Sequence, residues 1–539
     1  MTTKIIGVYP PKAFTSRSRL LKSMCHVFSV HFKPCQQGEW QDLDAVLDLG
    51  GDSNMLGEFV RAGIRFIAIF IDRLSEQTKD ESGVLKFENA LALDPRLRNQ
   101  CLHECDLNQI YPLALSPGDS VLALNGKDPV WGYRHEKNSS VDLISGVPDE
   151  IGEGGYLFEH LNAKRFAKVL PLFHFLRRVT EDSGWQYPAL RAAIMFDDPN
   201  LHWTSYGYVD FEKIASDARK IGYHVTMAMI PLDSWYAHSS AVRIFHEYQD
   251  ELSFLIHGNN HLHKELAQEY GEARQVAILA QCLKRIDKLE ERTGISISRI
   301  MAAPHGACRE NMMRSMLHLG FEGACISNGS LWGYNDISGR SPTIGIDMAT
   351  ILAGGFPVIK RFGLSKQAQN EIVLAAFLNQ PIIPVGHHED LSEGIGILSK
   401  TAERINRLGN VKWSNIADIM ASNFCIRQER EELRIRCYSR RVRLKIPQGV
   451  ESVVVEAPTM GQESIEHLEV ANIGKETNKK CTIFAIKEPI HVQSSDLIEI
   501  RLVTPNAIDP YGIPTDRTPL WAVVRRMLTE ARDRSRLFN

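Results

Sequence analysis

Two adjacent carboxylates, Asp197 and Asp198, close the apolar run in RAAIMFDDPNLHW, and two imidazoles four residues apart, His257 and His261, frame the HGNNH that follows LSFLI. Two more stretches have the same form: RIMAAPHG carries Pro304, His305 and Gly306 to the end of an apolar run, and PIIPVGHHED carries His387 and His388. One carboxylate with two imidazoles suits a divalent first-row ion, zinc being the usual occupant, and three protein ligands leave positions open for water and a substrate oxygen. A further carboxylate beside such a set can take a proton, and a histidine can return one to a leaving group. Each stretch alone has a plain explanation, since Asp, Asn and Pro break strands wherever they cluster. Their joint occurrence at successive strand ends is what turns alone do not explain. Asn200, His202 and Trp203 directly follow the paired carboxylates, where an aromatic ring would stack on a sugar or pack against a neighbouring element.

The elements that must position these groups are legible from hydrophobic periodicity. Over 188–425, apolar runs such as ALRAAIMF, HVTMAMI, LSFLIH, RIMAAP, PVIKRF and PIIPVG alternate with helical segments, which predicts a closed or partly closed β/α barrel. In such folds, side chains for chemistry gather at the C-terminal ends of the strands. Gly258-Asn259-Asn260 disfavours a continuous helix, so HGNNH is expected to be a strand-end loop, with Asn259 or Asn260 capping a helix that begins near His261. Residues 1–110 alternate KIIGVYP, HVFSVHF, DAVLDLGG and IRFIAIFI with helices, predicting a small flavodoxin- or Rossmann-like α/β domain with a parallel sheet. No phosphate-binding pattern follows Gly50-Gly51, which reads as a turn. Residues 111–187 are expected to connect the domains and to hold an amphipathic helix over 158–179. Period-two alternation over 430–505 predicts a β-sandwich, and 506–539 a linker and a helix whose arginine cluster reads as a solvated face.

The order DD, HxxxH, a PxG loop and a strand-terminal histidine resembles the polysaccharide deacetylase (NodB-type) superfamily, metal-dependent amide and ester hydrolases on a distorted (β/α)7 barrel. The resemblance covers about 188–425, under half of the chain. It implies Asp197 as catalytic base, Asp198, His257 and His261 as ligands of a divalent ion, Zn2+ first among them, and His387 or His388 as general acid. His387 is favoured because it directly follows Gly386. Pro304, His305 and Gly306 would form a groove wall. Three departures stand out: Ala302 occupies the position where the family often has an arginine that pairs with the base, Pro199 replaces a glycine, and Trp332 with Asp336 is only a loose counterpart of an Asp-Trp motif. Arg309 or His305 would have to substitute for the missing arginine.

The 539 residues are too many for one core, and 44% hydrophobic with 24% charged residues is ordinary for globular chains. With 62 Lys plus Arg against 65 Asp plus Glu, the formal charge of −3 offers no field for nucleic acid. No uncharged apolar stretch approaches the roughly 18 residues of a membrane span. The N-terminal MTTKIIGVYPPKAF has no signal-peptide core, and the ten scattered cysteines, with Cys101 and Cys105 the only close pair, read as reduced thiols, so a cytoplasmic location is expected. The N- and C-terminal domains are the surfaces through which homo-oligomers would form. The function expected is hydrolysis of an acetyl or acyl group from an amide nitrogen on a carbohydrate-like or small amide substrate. The alternative is a catalytically degenerate barrel that binds a glycan or a protein partner, to which Ala302 lends support. A non-haem iron oxygenase shares the two-histidine, one-carboxylate ligand set, but such sites are normally met on all-β cores.

Overall fold

The computed structural model describes residues 3–51, 54–72, 83–104, 107, 110–457, 465–473 and 481–535; Cys105 lies outside the described residues. The chain divides into two units, the first 1–185 with 338–346 and 369–377, the second 186–337, 347–368 and 378–539. No helix among the described residues is long and apolar enough to cross a membrane.

The first unit is built on one nine-stranded sheet. Its strands Ile5–Tyr9, His31–Pro34, Ala45–Gly51 and Phe66–Ile71 pair in parallel, as their apolar runs predict. The sheet does not stop at 110. Phe66–Ile71 also pairs in parallel with Ser139–Ser145, which continues through antiparallel Asp128–Glu136 and Ser120–Asn125, so the 120–145 part of the segment expected to be a connector extends this sheet. The expected 158–179 helix is shorter, Leu170–Val179, starting where Pro171 fits the first turn.

The second unit carries another nine-stranded sheet, in the order Thr350–Leu352, Phe356–Lys360, Gly323–Ile326, Ile297–Ala302, Leu252–His257, Val225–Met229, Ile194–Asp197, Pro384–Gly386, Phe362–Gly363. All its pairs are parallel except Thr350–Leu352 with Phe356–Lys360. The two ends of this order are linked through the chain, since Phe356–Lys360, next to one end, and Phe362–Gly363, at the other, are separated only by Arg361. Every residue of Ile194–Asp197, Val225–Met229 and Gly323–Ile326 is buried, which is why these strands read as continuous apolar runs rather than alternating ones. Met195, Ala228, Leu255, Ile300, Ile359 and Ile383 meet in one cluster, each larger aliphatic contributing about 1.5–3 kcal/mol on burial. Between the strands the crossover helices obey ordinary end rules: Phe211–Ile221 is capped by the Asp210 carboxylate, which accepts from the Lys213 N–H at 3.0 Å, and ends on Gly222 at φ 80°.

From 424 on, two four-stranded sheets share one buried cluster that includes Ile435, Val453, Val442, Leu468 and Ile500. The strand Glu432–Cys437 buries alternate residues, the period-two pattern of its sequence. The unit ends in the helix Leu520–Ser535.

Candidate metal centre

Strand register brings the chemical residues to one edge. Asp197 pairs with Ala228, Met229 with Ile256, His257 with Ala302, and Phe196 with Gly386, so the loops bearing Asp198, His261, Pro304 and His387 leave the sheet on the same side. Asp198 Oδ1 lies 3.3 Å from His261 Nε2 and 3.7 Å from His257 Nε2. All three ligand atoms fall within 4.8 Å of one another. His257 Nδ1 is 2.9 Å from the Ala302 carbonyl, which can only accept, so that nitrogen carries the proton and Nε2 presents its lone pair toward Asp198. Asp198 Oδ1 is buried and has no hydrogen-bond partner. A carboxylate oxygen in that state costs several kcal/mol unless a cation compensates it, and the donor set of one carboxylate and two neutral imidazoles is what a divalent ion takes.

The electrostatics agree with that fit. Burial pushes the Asp198 carboxyl up, but His261, His257, Arg526 and His387 together hold it well below the usual carboxylate range. Burial pushes the His261 imidazolium down to about 3, keeping the ring neutral as a ligand must be. Asp198, His261 and His305 all have left-handed backbones, with φ of 82°, 53° and 56°, a conformation that non-glycine residues rarely adopt and that concentrates at functional sites.

The HGNNH loop is not followed by a helix at His261; the next helix is Glu272–Thr293. The buried Glu265 carboxylate fixes the loop instead, accepting from the N–H groups of Asn259 (2.9 Å), Asn260 (2.9 Å) and His261 (3.1 Å). The two asparagines cap nothing: Asn259 donates to Gln281 at 2.9 Å, and Arg285 donates to both side-chain oxygens. Gly258, at φ 67°, is required because a Cβ there would stand 2.5 Å from Pro304 Cγ.

Asp197 is buried beside the ligand set and accepts from Arg361 Nη1 at 2.8 Å. Burial raises its carboxyl, but Arg361, His257 and His387 more than offset that and keep it below its ordinary value. Arg361, one residue beyond the Phe356–Lys360 strand, therefore stands where Ala302 leaves a gap. Neither expected substitute does so: Arg309 donates to the Ala267 carbonyl at 2.8 Å and pairs with Glu269, while His305 is exposed against the rings of His261 and His263.

The adjacent histidines part company. His387 is exposed, and its charge acts on both Asp197 and Asp198. His388 is buried between Tyr206 and Tyr208, with Nε2 3.6 Å from Asp533. Pro304 and Gly306 are buried; a Cβ on Gly306 would meet Ser330 Oγ at 2.4 Å. Asn200 is 0% exposed, donating to Asp233 and Glu530, and His202 is held between Glu530 and the Asp233 carbonyl, so these two brace the rim rather than line an open groove. Trp203, 55% exposed, stacks on His238 beneath the Arg534 guanidinium.

The arginine cluster of Leu520–Ser535 is not a solvated face. Arg526 is 6% exposed: its Nε donates to Asp233 at 2.7 Å, Nη1 to Tyr206 at 3.1 Å and Nη2 to the Asp198 carbonyl at 2.9 Å. Arg525 donates to the carbonyl and Nδ1 of His261. Sequence periodicity finds the helix but cannot say which of its faces turns inward.

No family model matches the sequence, and no curated protein matches it. Among solved structures, a Mycobacterium smegmatis chain assigned to the polysaccharide deacetylases aligns at TM-score 0.33 with 12% identity, covering 43% of this chain and 90% of that one. A Streptococcus mutans CE4 esterase aligns at TM-score 0.25 with 13% identity, covering 43% and 94%. The Xyl-CE4 domain of a multidomain xylanase from the hindgut metagenome of Trinervitermes trinervoides aligns at TM-score 0.25 with 12% identity, covering 44% and 90%. Likeness at these scores carries no weight of its own, and the functional reading stands on the site.

Proposed function

We propose that the chain is a metal-dependent hydrolase that removes an acetyl or other small acyl group from an amide nitrogen on a carbohydrate-like or small amide substrate. The observation that supports it is the convergence of Asp198, His257 and His261 on one point, with the unpartnered Asp198 Oδ1 facing both imidazoles and Asp197 held ionised beside them. A divalent ion there, Zn2+ by its liking for such ligands, would polarise the acyl carbonyl and bring a water's pKa to about 7. Asp197, ionised and oriented by Arg361, would accept a proton from an attacking water. His387, exposed at the same edge, carries a proton to the departing amine. Each transfer contributes on the order of 10² to 10⁴ in rate.

The reading of a binding-only protein draws its support from Ala302. Arg361 supplies in space the partner that Ala302 lacks in sequence, which favours turnover. Elemental analysis of the purified parent and Asp198→Ala, paired with acetate release from a panel of N-acetylated sugars and small amides, tests the proposal. About one equivalent of transition metal is expected in the parent and little in the variant, since one of three ligands has gone. Equal metal in both would remove the assignment; bound metal without hydrolysis across the panel would return the binding-only reading.

A further inference from the structure

The helix Leu520–Ser535 docks the wrong way round for a helix held by hydrophobic burial. Leu520, Trp521, Val524, Met527 and Leu528 form one stripe and are 83, 64, 46, 59 and 61% exposed. Its inward face is polar, and the groups it meets are those of the candidate centre: His261 with Arg525, Asp198, Asp233 and Tyr206 with Arg526, Asn200 and His202 with Glu530, Tyr206 and His388 with Asp533. Successive arginines thus donate to the backbone carbonyls of two of the three candidate ligands. Both of those ligands hold left-handed backbones, Asp198 at φ 82° and His261 at φ 53°.

We infer that this helix is a working part of the centre, and that Arg526 is a positioning residue for the metal ligand Asp198. The inference rests on the metal reading above. Asp198 is fixed from one side by its own N–H, which donates to the Ala228 carbonyl at 3.0 Å. From the other side, its carbonyl accepts from Arg526, whose guanidinium is itself immobilised by Asp233 and Tyr206. With both peptide groups bonded, the uncommon φ is over-determined and Oδ1 is kept in place between the two imidazoles. The task needs arginine: a planar fork can serve a carboxylate, a hydroxyl and a carbonyl at once, whereas a lysine ammonium is a point charge on a flexible stem. Arg525 is the less clean probe. A metal-bound imidazole carries its proton on the second nitrogen, opposing a guanidinium N–H, so an ion on His261 leaves the carbonyl as Arg525's partner.

The experiment is a competition titration of the full chain with Zn2+ against a chromophoric chelator, for the parent, Arg526→Gln, Arg526→Lys, Leu528→Ser and Asp198→Ala, with thermal unfolding of each. Removing the outer partner of a metal ligand typically weakens affinity 10- to 100-fold, and that loss is expected for Arg526→Gln. Arg526→Lys keeps a cation against Asp233 and so preserves the fold if the glutamine variant does not; a loss of about tenfold is expected from it. Leu528→Ser, on the outer stripe, is expected to bind Zn2+ like the parent. Parental affinity in a folded Arg526→Lys or Arg526→Gln chain overturns the inference. Zinc retained by Asp198→Ala overturns the metal reading instead, so the two failures are told apart.

Discussion

Asp197 and Asp198 are neighbours in the chain with different surroundings, and the difference assigns their work. Asp198 Oδ1 has no donor and faces two imidazoles, whereas Asp197 is already bonded to Arg361 at 2.8 Å. Asp197→Asn is therefore expected to keep its metal while acetate release falls by about 10² to 10⁴, the range of one proton-transfer group. Loss of metal along with activity would make Asp197 a ligand rather than a base. The same logic separates His387 from His388. His387→Asn is expected to lower turnover by a factor in the same range at unchanged melting temperature, because the side chain is exposed and near both carboxylates. His388→Asn is expected to lower the melting temperature and leave turnover per folded molecule near parental, because its ring fills a buried slot between two tyrosines. There a Cβ on Gly207 would already stand 2.3 Å from Nδ1. The reverse pattern would exchange their roles. At this scale the sequence was informative where ligands lie close in the chain, as in DD and HxxxH. It was silent on Arg361, 164 positions from its partner, because a buried charge at a strand end looks like any other until the sheet is closed up around it.

Elements were legible where one face or both faces of a segment are covered by the same unit. The continuous runs over 188–425 became buried parallel strands, and the alternation in 430–505 became half-buried ones, since burial period follows directly from side-chain direction. The Leu520–Ser535 helix was legible as a helix but not in its orientation, which depends on distant Asp233, Tyr206 and His202. One of its anchors titrates, which makes the docking testable. Burial lowers the His202 pKa, but hydrogen bonding and charge from Glu530 raise it above 6.5 overall. Burial raises the Glu530 pKa, yet His202 and Arg534 bring it from 4.5 to about 2. A raised histidine stabilises below its unfolded value and ceases to as pH climbs through its folded one; a depressed carboxylate stabilises above its unfolded value and ceases to as pH drops toward about 2. Both contributions are complete only between pH 4.5 and 6.5. A double-mutant cycle of His202→Gln and Glu530→Gln, read by denaturant unfolding, is expected to give a coupling of about 2 kcal/mol near pH 5.5 and clearly less near pH 8.5. A coupling that does not change over that interval would mean the pair is not charged when it holds the helix.

Taken over the whole of the second unit, the helix also bears on what can reach the centre. Its contacts fall on loops that follow Leu252–His257, Val225–Met229, Ile194–Asp197 and Pro384–Gly386, four strands that are consecutive in the sheet. It therefore crosses the edge of four adjacent strands on the side where the candidate ligands leave the sheet. Of the exposed groups near the ligands, His305 lies on the loop after Ile297–Ala302, one strand beyond that span, and His387 on the loop after Pro384–Gly386, the last strand within it. Were a polymer to bind along that edge, an internal unit would meet the helix and its buried Arg526–Asp233 pair, whereas a free sugar or a chain terminus would not have to pass under it. If the chain has the proposed activity, then offered the same acylated amino sugar free, at a chain end, and inside a polymer, it is expected to favour the first two by at least about tenfold in kcat/KM, or about 1.4 kcal/mol of transition-state binding. Mass-spectrometric location of the freed amines in oligomers of defined length measures this directly. Uniform deacylation of internal units at the terminal rate would show that the helix leaves the edge during turnover and is not a fixed wall.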